Sequence, residues 1–378
     1  MILNRLRIVN LRNHGHTEID CPEGTLLLLG ENGAGKTTVL EAISLLCTSR
    51  SFVTHQDKSL LRREAEGYRV EGWFTSTTSS RRSVALAYDA DPGRKQIEMD
   101  NAALPAAADL IGVFPLVALS PQHRPITAGG PGERRSFIDF IISQLHHVYL
   151  MDLIAYRRAL RQRNALLADH ERRPADVRST LEVWDASLAE SAVRVLRRRH
   201  GFVDEFVPYL GEAMQAVIQD REEVALRYVS SMELDPFSET AVDDYRARLS
   251  QRMDMDIRRG TTTIGPHRDE LEILLNGLDV RAQASQGQHK TILISLKLAE
   301  YRYLHMHLDE PPILLLDDVF SELDDERLAN VLRLVDGLGQ TFITSANQAT
   351  LRFFPQGGMQ NLTLRIDDGI VHELAVVA

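Results

Sequence analysis

Cysteine is scarce in this sequence of 378 residues, and long apolar runs are missing from it. The two cysteines, Cys21 and Cys47, lack metal-type spacing, which argues against a disulfide framework and against a zinc site. The first residues contain no apolar core of signal-peptide length, and the run from Leu26 to Leu29 is far shorter than the ~20 residues of a membrane span. We therefore expect a cytoplasmic protein in a reducing compartment, without a membrane partner.

An excess of basic residues is also missing. Lys and Arg number 43 and Asp and Glu number 53, which gives a formal net charge of −10. Any contact with nucleic acid must therefore come from a local basic surface. Arginine is concentrated in two stretches, although a solvated helix face is the more ordinary explanation of either stretch alone. These arginines are Arg157, Arg158, Arg161 and Arg163 in the first stretch, and Arg194, Arg197, Arg198 and Arg199 in the second.

A glycine-rich stretch from Gly30 to Thr37 fits the phosphate-loop pattern G-x-x-x-x-G-K-[ST]. It lies between a predicted buried strand, Thr25 to Leu29, and a predicted helix, Thr38 to Cys47, which is the context that the motif requires. In such a loop, backbone N–H groups wrap the phosphates of ATP, Lys36 reaches the β- and γ-phosphates, and the Thr37 hydroxyl ligates Mg²⁺. The predicted nucleotide-binding residues are Gly30, Glu31, Asn32, Gly33, Ala34, Gly35, Lys36, Thr37 and Thr38, and Lys36 is also predicted to be catalytic.

Two motifs in the C-terminal part complete a nucleotide site when they are read together with this loop. The apolar run from Ile313 to Leu316 predicts a buried strand that ends at Asp317 and Asp318. Asp317 is predicted to hold Mg²⁺, directly or through water, and Asp318 to orient or deprotonate the attacking water. The run from Ser285 to Gln288 precedes a helix predicted to begin near Lys290. Alone it is an ordinary N-cap turn, but its position about 25 to 30 residues before the acidic strand end favours an anion site.

The texture of the sequence changes twice along the chain. Residues 68–117 contain short β-type runs, whereas apolar residues recur at helical spacing over about residues 131–248, before αβ texture returns. Pro174, Gly201 and Pro208 are expected to interrupt the helical part, and sustained heptads are missing. A long coiled coil is therefore not predicted.

The order of phosphate loop, polar signature and acidic strand end indicates an ATPase that closes as a dimer over ATP. Further motifs extend the match over nearly the whole chain. With them, the sequence resembles the RecF family of bacterial recombination mediator ATPases, which are ABC-type ATPases related to the structural-maintenance-of-chromosomes proteins. The motifs that carry this resemblance are Pro131 to Asp139, Gln162 to Leu167, Gly265 to Asp269 and Ser321 to Asp324.

The resemblance implies an α/β fold in which N- and C-terminal segments form one ABC-type P-loop ATPase domain. A mainly helical lobe is inserted between these segments. Residues 1–130 would form the N-terminal part of the ATPase domain and residues 131–255 the inserted lobe II. Residues 256–378 would form the C-terminal part, with the signature, Walker B and D-loop motifs.

The resemblance also implies roles for individual residues. Gly30 to Thr37 would be the Walker A loop and Asp317 the magnesium-binding Walker B carboxylate. Asp324, in the D-loop, would lie across the dimer interface near the nucleotide. The signature motif, which would contact the γ-phosphate held by the opposite subunit, consists of Ser285, Gln286, Gly287 and Gln288.

Three assignments are less specific. Arg12 and Asn13 match a nucleotide-contacting N-terminal turn of related ATPases, although an exposed turn explains them equally well. Gln122 would be a Q-loop residue and metal ligand on the basis of its position only.

The sequence departs from the wider ABC class in two features. Asp318 stands where the catalytic Glu usually stands, and its side chain is one methylene shorter. Thr344 and Ser345 stand where many relatives carry a His that senses the γ-phosphate. Because catalysis of phosphoryl transfer depends heavily on positioning, both changes predict a slow ATPase in which ATP acts as a clamp and hydrolysis as a release timer.

The resemblance implies an ATP-dependent DNA-binding protein of DNA replication and recombinational repair, with weak DNA-stimulated ATPase activity. Its cofactors would be ATP and Mg²⁺. Its partners would be duplex DNA, gapped or junction DNA including the single strand, the RecO and RecR proteins, and a second copy of the chain when ATP is bound. It would assist recombinase loading.

Two other classes are alternatives. An ATPase subunit of a transporter or a translation factor would need a partner membrane segment or tandem cassettes, and this chain has a single cassette. A chromosome-organising protein would need long heptad arms. The helical part is too short and too interrupted for such arms.

Overall fold

The computed structural model describes residues 1–169, 177–217, 222–319, 325–335, 337–347 and 361–373. It contains two compact units. The first unit consists of Met1–Arg124, Glu212–Arg221 and Lys290–Ala378, and the second of Pro125–Gly211 and Glu222–His289. The domain boundaries that we place after residues 130 and 255 stay predictions.

The elements alternate strand-rich and helix-rich stretches along the chain. The strands are β1 Ile2–Leu11, β2 His14–Asp20, β3 Thr25–Leu29, β4 Gly67–Thr75, β5 Arg81–Asp89, β6 Arg94–Met99, β7 Ala102–Ala103, β8 Leu116–Leu119, β9 Val224–Val229, β10 Glu270–Leu275, β11 Leu278–Asp279, β12 Ile313–Asp317, β13 Thr341–Ser345, β14 Leu362–Asp367 and β15 Ile370–Glu373. The α-helices are α1 Lys36–Thr48, α2 Pro125–Ala128, α3 Pro131–Leu145, α4 His147–Ala168, α5 Val177–Val217, α6 Ala241–Arg259, α7 Val280–Gln283, α8 Gln286–His307 and α9 Asp325–Val335. Short 3₁₀ helices cover Asp57–Leu60, Ala107–Leu110 and Pro121–His123.

Two sheets and helix α1 form the core of the first unit. One sheet has the strand order β2-β1-β4-β5-β6-β7, with antiparallel neighbours. The other has the order β15-β14-β3-β13-β12-β8, in which every pair is parallel except β14 with β15. Helix α1 contacts strands of both sheets and is buried at every position except Thr37. A helix that is apolar around most of its circumference is stable only when it is covered on all sides.

The parallel strands bring the predicted motifs to one edge of their sheet. Strands β3, β12 and β13 are buried at every residue, as expected for parallel strands with both faces covered. Strand β13 lies between the other two, and its register pairs Thr344 with Asp317 and Ser345 with Leu29. The end of β3, where the phosphate loop begins, and the acidic end of β12 therefore lie on either side of one strand.

Helices α3, α4 and α6, most of α5, and the antiparallel sheet β11-β10-β9 belong to the second unit. The prediction that Gly201 and Pro208 interrupt the helical part is wrong, because α5 continues through both residues. Their cost in a helix interior, about 1 kcal/mol for Gly and about 3 for Pro, is offset by a long apolar stripe that includes the buried Leu188 and Phe206. Pro174 lies outside the described residues.

Two arginines of the predicted basic stretches are buried, which corrects the view of these stretches as uniform solvated faces. The Arg163 guanidinium is fully buried and donates to Asp185 Oδ1 at 2.6 Å and to Asp256 Oδ2 at 2.7 Å. Arg199 donates to Asp139 at 3.0 Å. A buried charge needs such partners, and sequence spacing alone does not show which arginine of a helix has them. No helix of the described part of the chain is long and apolar enough to span a bilayer.

Candidate nucleotide site

The predicted Walker B carboxylate, Asp317, lies at the end of β12 in contact with the predicted phosphate loop. Its Oδ1 accepts hydrogen bonds from Thr37 Oγ1 and Thr344 Oγ1, both at 2.8 Å. The first of these bonds joins residues 280 positions apart. Burial raises the pKa of Asp317, and the two hydroxyl donors partly oppose that rise. A buried carboxylate that meets hydroxyls rather than an ammonium or guanidinium is a suitable ligand for a divalent cation.

Asp318 adopts a left-handed backbone conformation, with φ of 48°, directly after the strand end. Its N–H donates to Thr344 Oγ1 at 2.9 Å. The Thr344 hydroxyl therefore fixes both residues at the end of β12, donating to one and accepting from the other. The predicted catalytic role of Asp318 stays a prediction.

Lys36 is buried and turned back onto its own loop. Its Nζ donates to Gly30 O and to Glu31 O, each at 2.8 Å. Burial lowers the pKa of Lys36, whereas the nearby carboxylates of Asp318 and Asp317 raise it. An ammonium held by neutral carbonyls can form stronger, charge-assisted bonds with an anion, so the loop fits a phosphate group.

Glycine is required at two positions of the loop. A Cβ on Gly30 would lie 2.3 Å from Ile366 O, which is backbone and cannot move aside cheaply. Gly35 has φ of 112°, and a Cβ there would lie 2.6 Å from His14 Nε2. The pattern of glycines thus follows from close packing against β14 and against the turn that leads into β2.

The N-terminal turn, where we predict that Arg12 and Asn13 contact nucleotide, packs against the loop and α1. Asn13 Nδ2 donates to Gly33 O at 3.2 Å, and Arg12 Nη2 donates to Glu41 Oε1 of α1 at 2.8 Å. Thr38 Oγ1 lies 3.5 Å from Asn13 Oδ1. Sequence reasoning missed His14, which follows Asn13 and lies against the loop as well; a lone histidine next to a turn carries no recognisable signal.

Gln122 lies in the 3₁₀ helix that follows β8, the neighbour of β12. Its side chain is exposed, and no hydrogen bond joins it to another described residue. Metal binding by Gln122 stays a prediction.

The signature residues form the exposed first turn of α8, which belongs to the second unit up to His289. Ser285 N–H donates to Gln288 Oε1 at 2.9 Å, and Gln288 N–H donates to Ser285 Oγ at 3.2 Å. This reciprocal capping box starts the helix at Gln286, so the predicted start near Lys290 is too late. Asp324 and the rest of Ser321 to Asp324 lie outside the described residues.

A largely parallel sheet with a glycine-rich loop leading into a buried helix, together with a helical insertion, defines the class of ABC-type α/β ATPases. The family described as "RecF/RecN/SMC N terminal domain" matches residues 2–358. A DNA replication and repair protein RecF from Salinibacter ruber is 39% identical over 353 residues, which cover 92% of this chain and 85% of that protein. A protein of the same name from Bacteroides thetaiotaomicron is 33% identical and covers 99% of both chains.

A solved RecF structure supports the same similarity. A structure of the recombination mediator protein RecF with ATPrS superimposes with a TM-score of 0.89 at 30% identity, covering 99% of this chain and 98% of that one. An SMC head with a TM-score of 0.58 and 13% identity shares the fold alone. The chain belongs to the RecF family.

Proposed function

We propose that this chain is an ATP-dependent DNA-binding protein of DNA replication and recombinational repair. ATP would bind at Gly30 to Thr38, and Thr37 and Asp317 would hold the accompanying Mg²⁺. Mg²⁺ supplies positive charge beside the phosphates of bound ATP. The site has the residues for both groups: an ammonium held by carbonyls, and a buried carboxylate next to a hydroxyl.

The observation that supports this proposal most directly is the 2.8 Å hydrogen bond from Thr37 Oγ1 to Asp317 Oδ1. It brings together the hydroxyl and the carboxylate that hold Mg²⁺ in P-loop ATPases, although they are 280 residues apart in sequence. Family membership and the ATP-type ligand of a structural relative support ATP hydrolysis as the activity.

Hydrolysis is slow, and ATP acts as a clamp. Asp318 orients the attacking water with a carboxylate one methylene shorter than the usual Glu. The Thr344 hydroxyl donates to Asp317 and accepts from the Asp318 amide, and this position carries no histidine that could sense the γ-phosphate. Since positioning accounts for most of the catalysis of phosphoryl transfer, this arrangement favours a long-lived ATP state and weak hydrolysis, which DNA stimulates.

Two copies close over ATP on duplex or gapped DNA. The exposed turn from Ser285 to Gln288 of one copy contacts the γ-phosphate held by Gly30 to Thr37 of the other. The start of α8 is suited to this contact, because the N-terminal end of a helix attracts anions. The structural relatives belong to the RecFOR pathway, and we extend this to partnership with RecO and RecR and to recombinase loading.

Sizing in solution tests the clamp. The wild-type chain should shift from monomer to dimer when Mg²⁺ and ATP are added, and Lys36→Met should not. Ser285→Arg and Lys36→Ala should each fail to dimerise alone, because each lacks one half of both composite sites. Mixing the two should restore one complete site and part of the dimer.

Circular dichroism and thermal unfolding of each variant show whether it is folded. If the folded variants do not recover dimers on mixing, the site is not shared between subunits. If Lys36→Met dimerises with ATP like the wild type, the proposed nucleotide site is wrong.

A further inference from the structure

His14 is a buried histidine that touches the phosphate loop and that no motif accounts for. It begins β2, its side chain is fully buried, and its Nε2 lies 3.0 Å from Gly35 O. Its other ring nitrogen, Nδ1, lies 2.8 Å from Thr17 Oγ1 on the same strand. Both ring nitrogens are therefore within hydrogen-bond distance of a single partner each.

The partners determine where the protons lie. A carbonyl oxygen only accepts, so Nε2 must carry the hydrogen that it shares with Gly35 O. Burial lowers the pKa of His14, so the ring is neutral and Nδ1 has no hydrogen. Nδ1 therefore accepts from the Thr17 hydroxyl, whose alternative acceptor, Gly369 O, is farther away at 3.3 Å. Thr17 thereby selects the tautomer that donates to the loop.

A second contact holds the preceding peptide of the loop. Gly369, in the turn between β14 and β15, donates its N–H to Ala34 O at 2.8 Å. The turn sits so close to the N-terminal turn that a Cβ on Gly369 would lie 2.4 Å from Asn13 O. Consecutive carbonyls of the loop, those of Ala34 and Gly35, thus each accept from a donor outside the loop, and the Gly35 carbonyl also accepts from Thr38 N–H of α1 at 3.0 Å.

These two bonds also set the direction of the following N–H groups. In a planar trans peptide the C=O and the N–H point in opposite directions. Binding the Ala34 carbonyl to Gly369 turns the Gly35 N–H away from Gly369, and binding the Gly35 carbonyl to His14 turns the Lys36 N–H away from His14. Backbone N–H groups at the start of a helix are the groups that bind phosphate in such loops.

We propose that His14, Thr17 and Gly369 form a clasp that holds the phosphate loop in its ATP-binding conformation before ATP arrives. His14 is a positioning residue: it acts on ATP through the Gly35–Lys36 peptide and touches no phosphate itself. This inference rests on the proposed ATP site. Without the clasp, part of the binding free energy of ATP must orient the loop, and the affinity falls.

The test compares the ATP affinity of several variants, measured by titration calorimetry with Mg²⁺. His14→Phe fills the space but cannot donate, and we expect the dissociation constant of ATP to rise about tenfold, the effect of losing one buried hydrogen bond. His14→Gln keeps a donor for Gly35 O, so it should stay within about threefold of the wild type. Thr17→Val should weaken binding about threefold, because the tautomer is no longer fixed.

The matched control is His16→Phe, on the same strand, where the wild-type side chain is 56% exposed and faces Glu18 rather than the loop. It should bind ATP like the wild type. The double variant His14→Gln with Thr17→Val is the sharpest test. If Thr17 acts by fixing the imidazole tautomer, removing its hydroxyl should have no further effect once the imidazole is gone.

Other outcomes contradict the clasp. If His14→Phe lowers the unfolding temperature without nucleotide but binds ATP as the wild type does, His14 stabilises the fold and does not prepare the loop for ATP. Equal losses from Thr17→Val in the wild-type chain and in the His14→Gln variant would overturn the tautomer relay. Lys36→Met separates the two proposals. If Lys36→Met keeps the ATP affinity of the wild type, the proposed nucleotide site itself is wrong. If Lys36→Met loses ATP affinity while His14→Phe and Thr17→Val keep it, only the clasp is disproved.

Discussion

The buried charges at the candidate site of the first unit have different partners from the buried Arg163 of the second unit. At the candidate site of the first unit, Asp317 meets two hydroxyls and Lys36 meets two carbonyls. In the second unit, Arg163 meets two carboxylates, and one of them, Asp256, is also fully buried. Charges that meet only neutral groups retain the capacity to bind an ion, whereas charges that are paired with each other stabilise the fold and have none left to offer.

An arginine-rich helix can contain both buried, paired arginines and exposed ones. The arginine-rich stretches of the second unit suggest a basic surface, yet Arg163 and Arg199 are buried and form ion pairs with carboxylates. The exposed members are Arg157, Arg158, Arg161, Arg194, Arg197 and Arg198. A DNA-binding surface in this unit must therefore be built from the exposed subset.

The largest loss of stability is expected when the buried ion pairs of Arg163 with Asp185 and Asp256 are broken. Arg163→Ala leaves the carboxylates of Asp185 and Asp256 buried without their cation, which should lower the free energy of unfolding by about 3–5 kcal/mol. Denaturant unfolding followed by circular dichroism measures this change. The exposed Arg161→Ala on the same helix is the control and should stay within about 0.5 kcal/mol of the wild type. A loss below about 1 kcal/mol in Arg163→Ala would show that this network is not structural.

At the candidate site, removal of a buried charge is expected to cause no loss of stability. Asp317→Asn removes a buried negative charge whose hydrogen bonds come from two hydroxyls and whose pKa is raised by burial, so the protein without nucleotide should be as stable as the wild type or more stable. It should lose ATP hydrolysis about 100-fold, because a neutral amide holds Mg²⁺ poorly.

Thermal unfolding with and without Mg²⁺ and ATP, beside steady-state hydrolysis, checks both parts. If Asp317→Asn destabilises the nucleotide-free protein by as much as Arg163→Ala does, the contrast between the units is wrong.

A smaller, pH-dependent effect is expected from His267 in the second unit. Burial lowers its pKa from 6.5 to about 4, and it accepts from the Tyr156 hydroxyl at 2.6 Å through Nδ1. Between pH 6.5 and 4 the unfolded chain therefore binds a proton that the folded chain does not, so stability falls as the pH is lowered through this window.

His267→Gln should reduce this slope by up to one proton, roughly 1.4 kcal/mol per pH unit. Urea unfolding at several pH values measures it. His16→Gln, at an exposed histidine of the first unit, is the control for the His-to-Gln substitution itself. An unaltered slope in His267→Gln would mean that this histidine titrates alike in both states.

The smallest and most selective effect concerns DNA. Reversing Arg197 and Arg198 to Glu should weaken duplex binding and lower its salt dependence by up to about two ions, while ATP binding stays intact. Both arginines are exposed, but Arg197 Nη2 donates to Ser238 O at 3.2 Å and is therefore partly engaged within the protein.

Arg198→Glu should therefore account for most of the loss. Fluorescence anisotropy with labelled duplex at two salt concentrations checks it, with thermal unfolding as a control for Arg197. Equal affinity of the wild type and the double variant at both salts would remove this face from DNA binding.

Sequence reasoning predicted local features of the fold well. Strand β3 has the predicted bounds, Thr25–Leu29, and β12 ends at the predicted Asp317. The predictions failed where tertiary packing and capping override the local preference of the sequence. Gly201 and Pro208 remain inside α5 because burial outweighs their local cost, and the helix after Ser285 starts earlier because its capping box satisfies the first turn.

Short motifs in the sequence predict the chemistry of the site, namely the loop from Gly30 to Thr37 and the carboxylates at the end of a buried strand, and they carry the resemblance to the RecF family. These are short-range patterns, in which each residue type is required by the group that it would bind. The tertiary structure decides which charged side chains are buried against an opposite charge and which lie at the candidate site. Strand order placed Thr37 on Asp317 and His14 on Gly35, and helix packing buried Arg163 against its carboxylates. The physical reason is that the cost of a buried charge depends on its neighbours in space, which spacing along the chain does not specify.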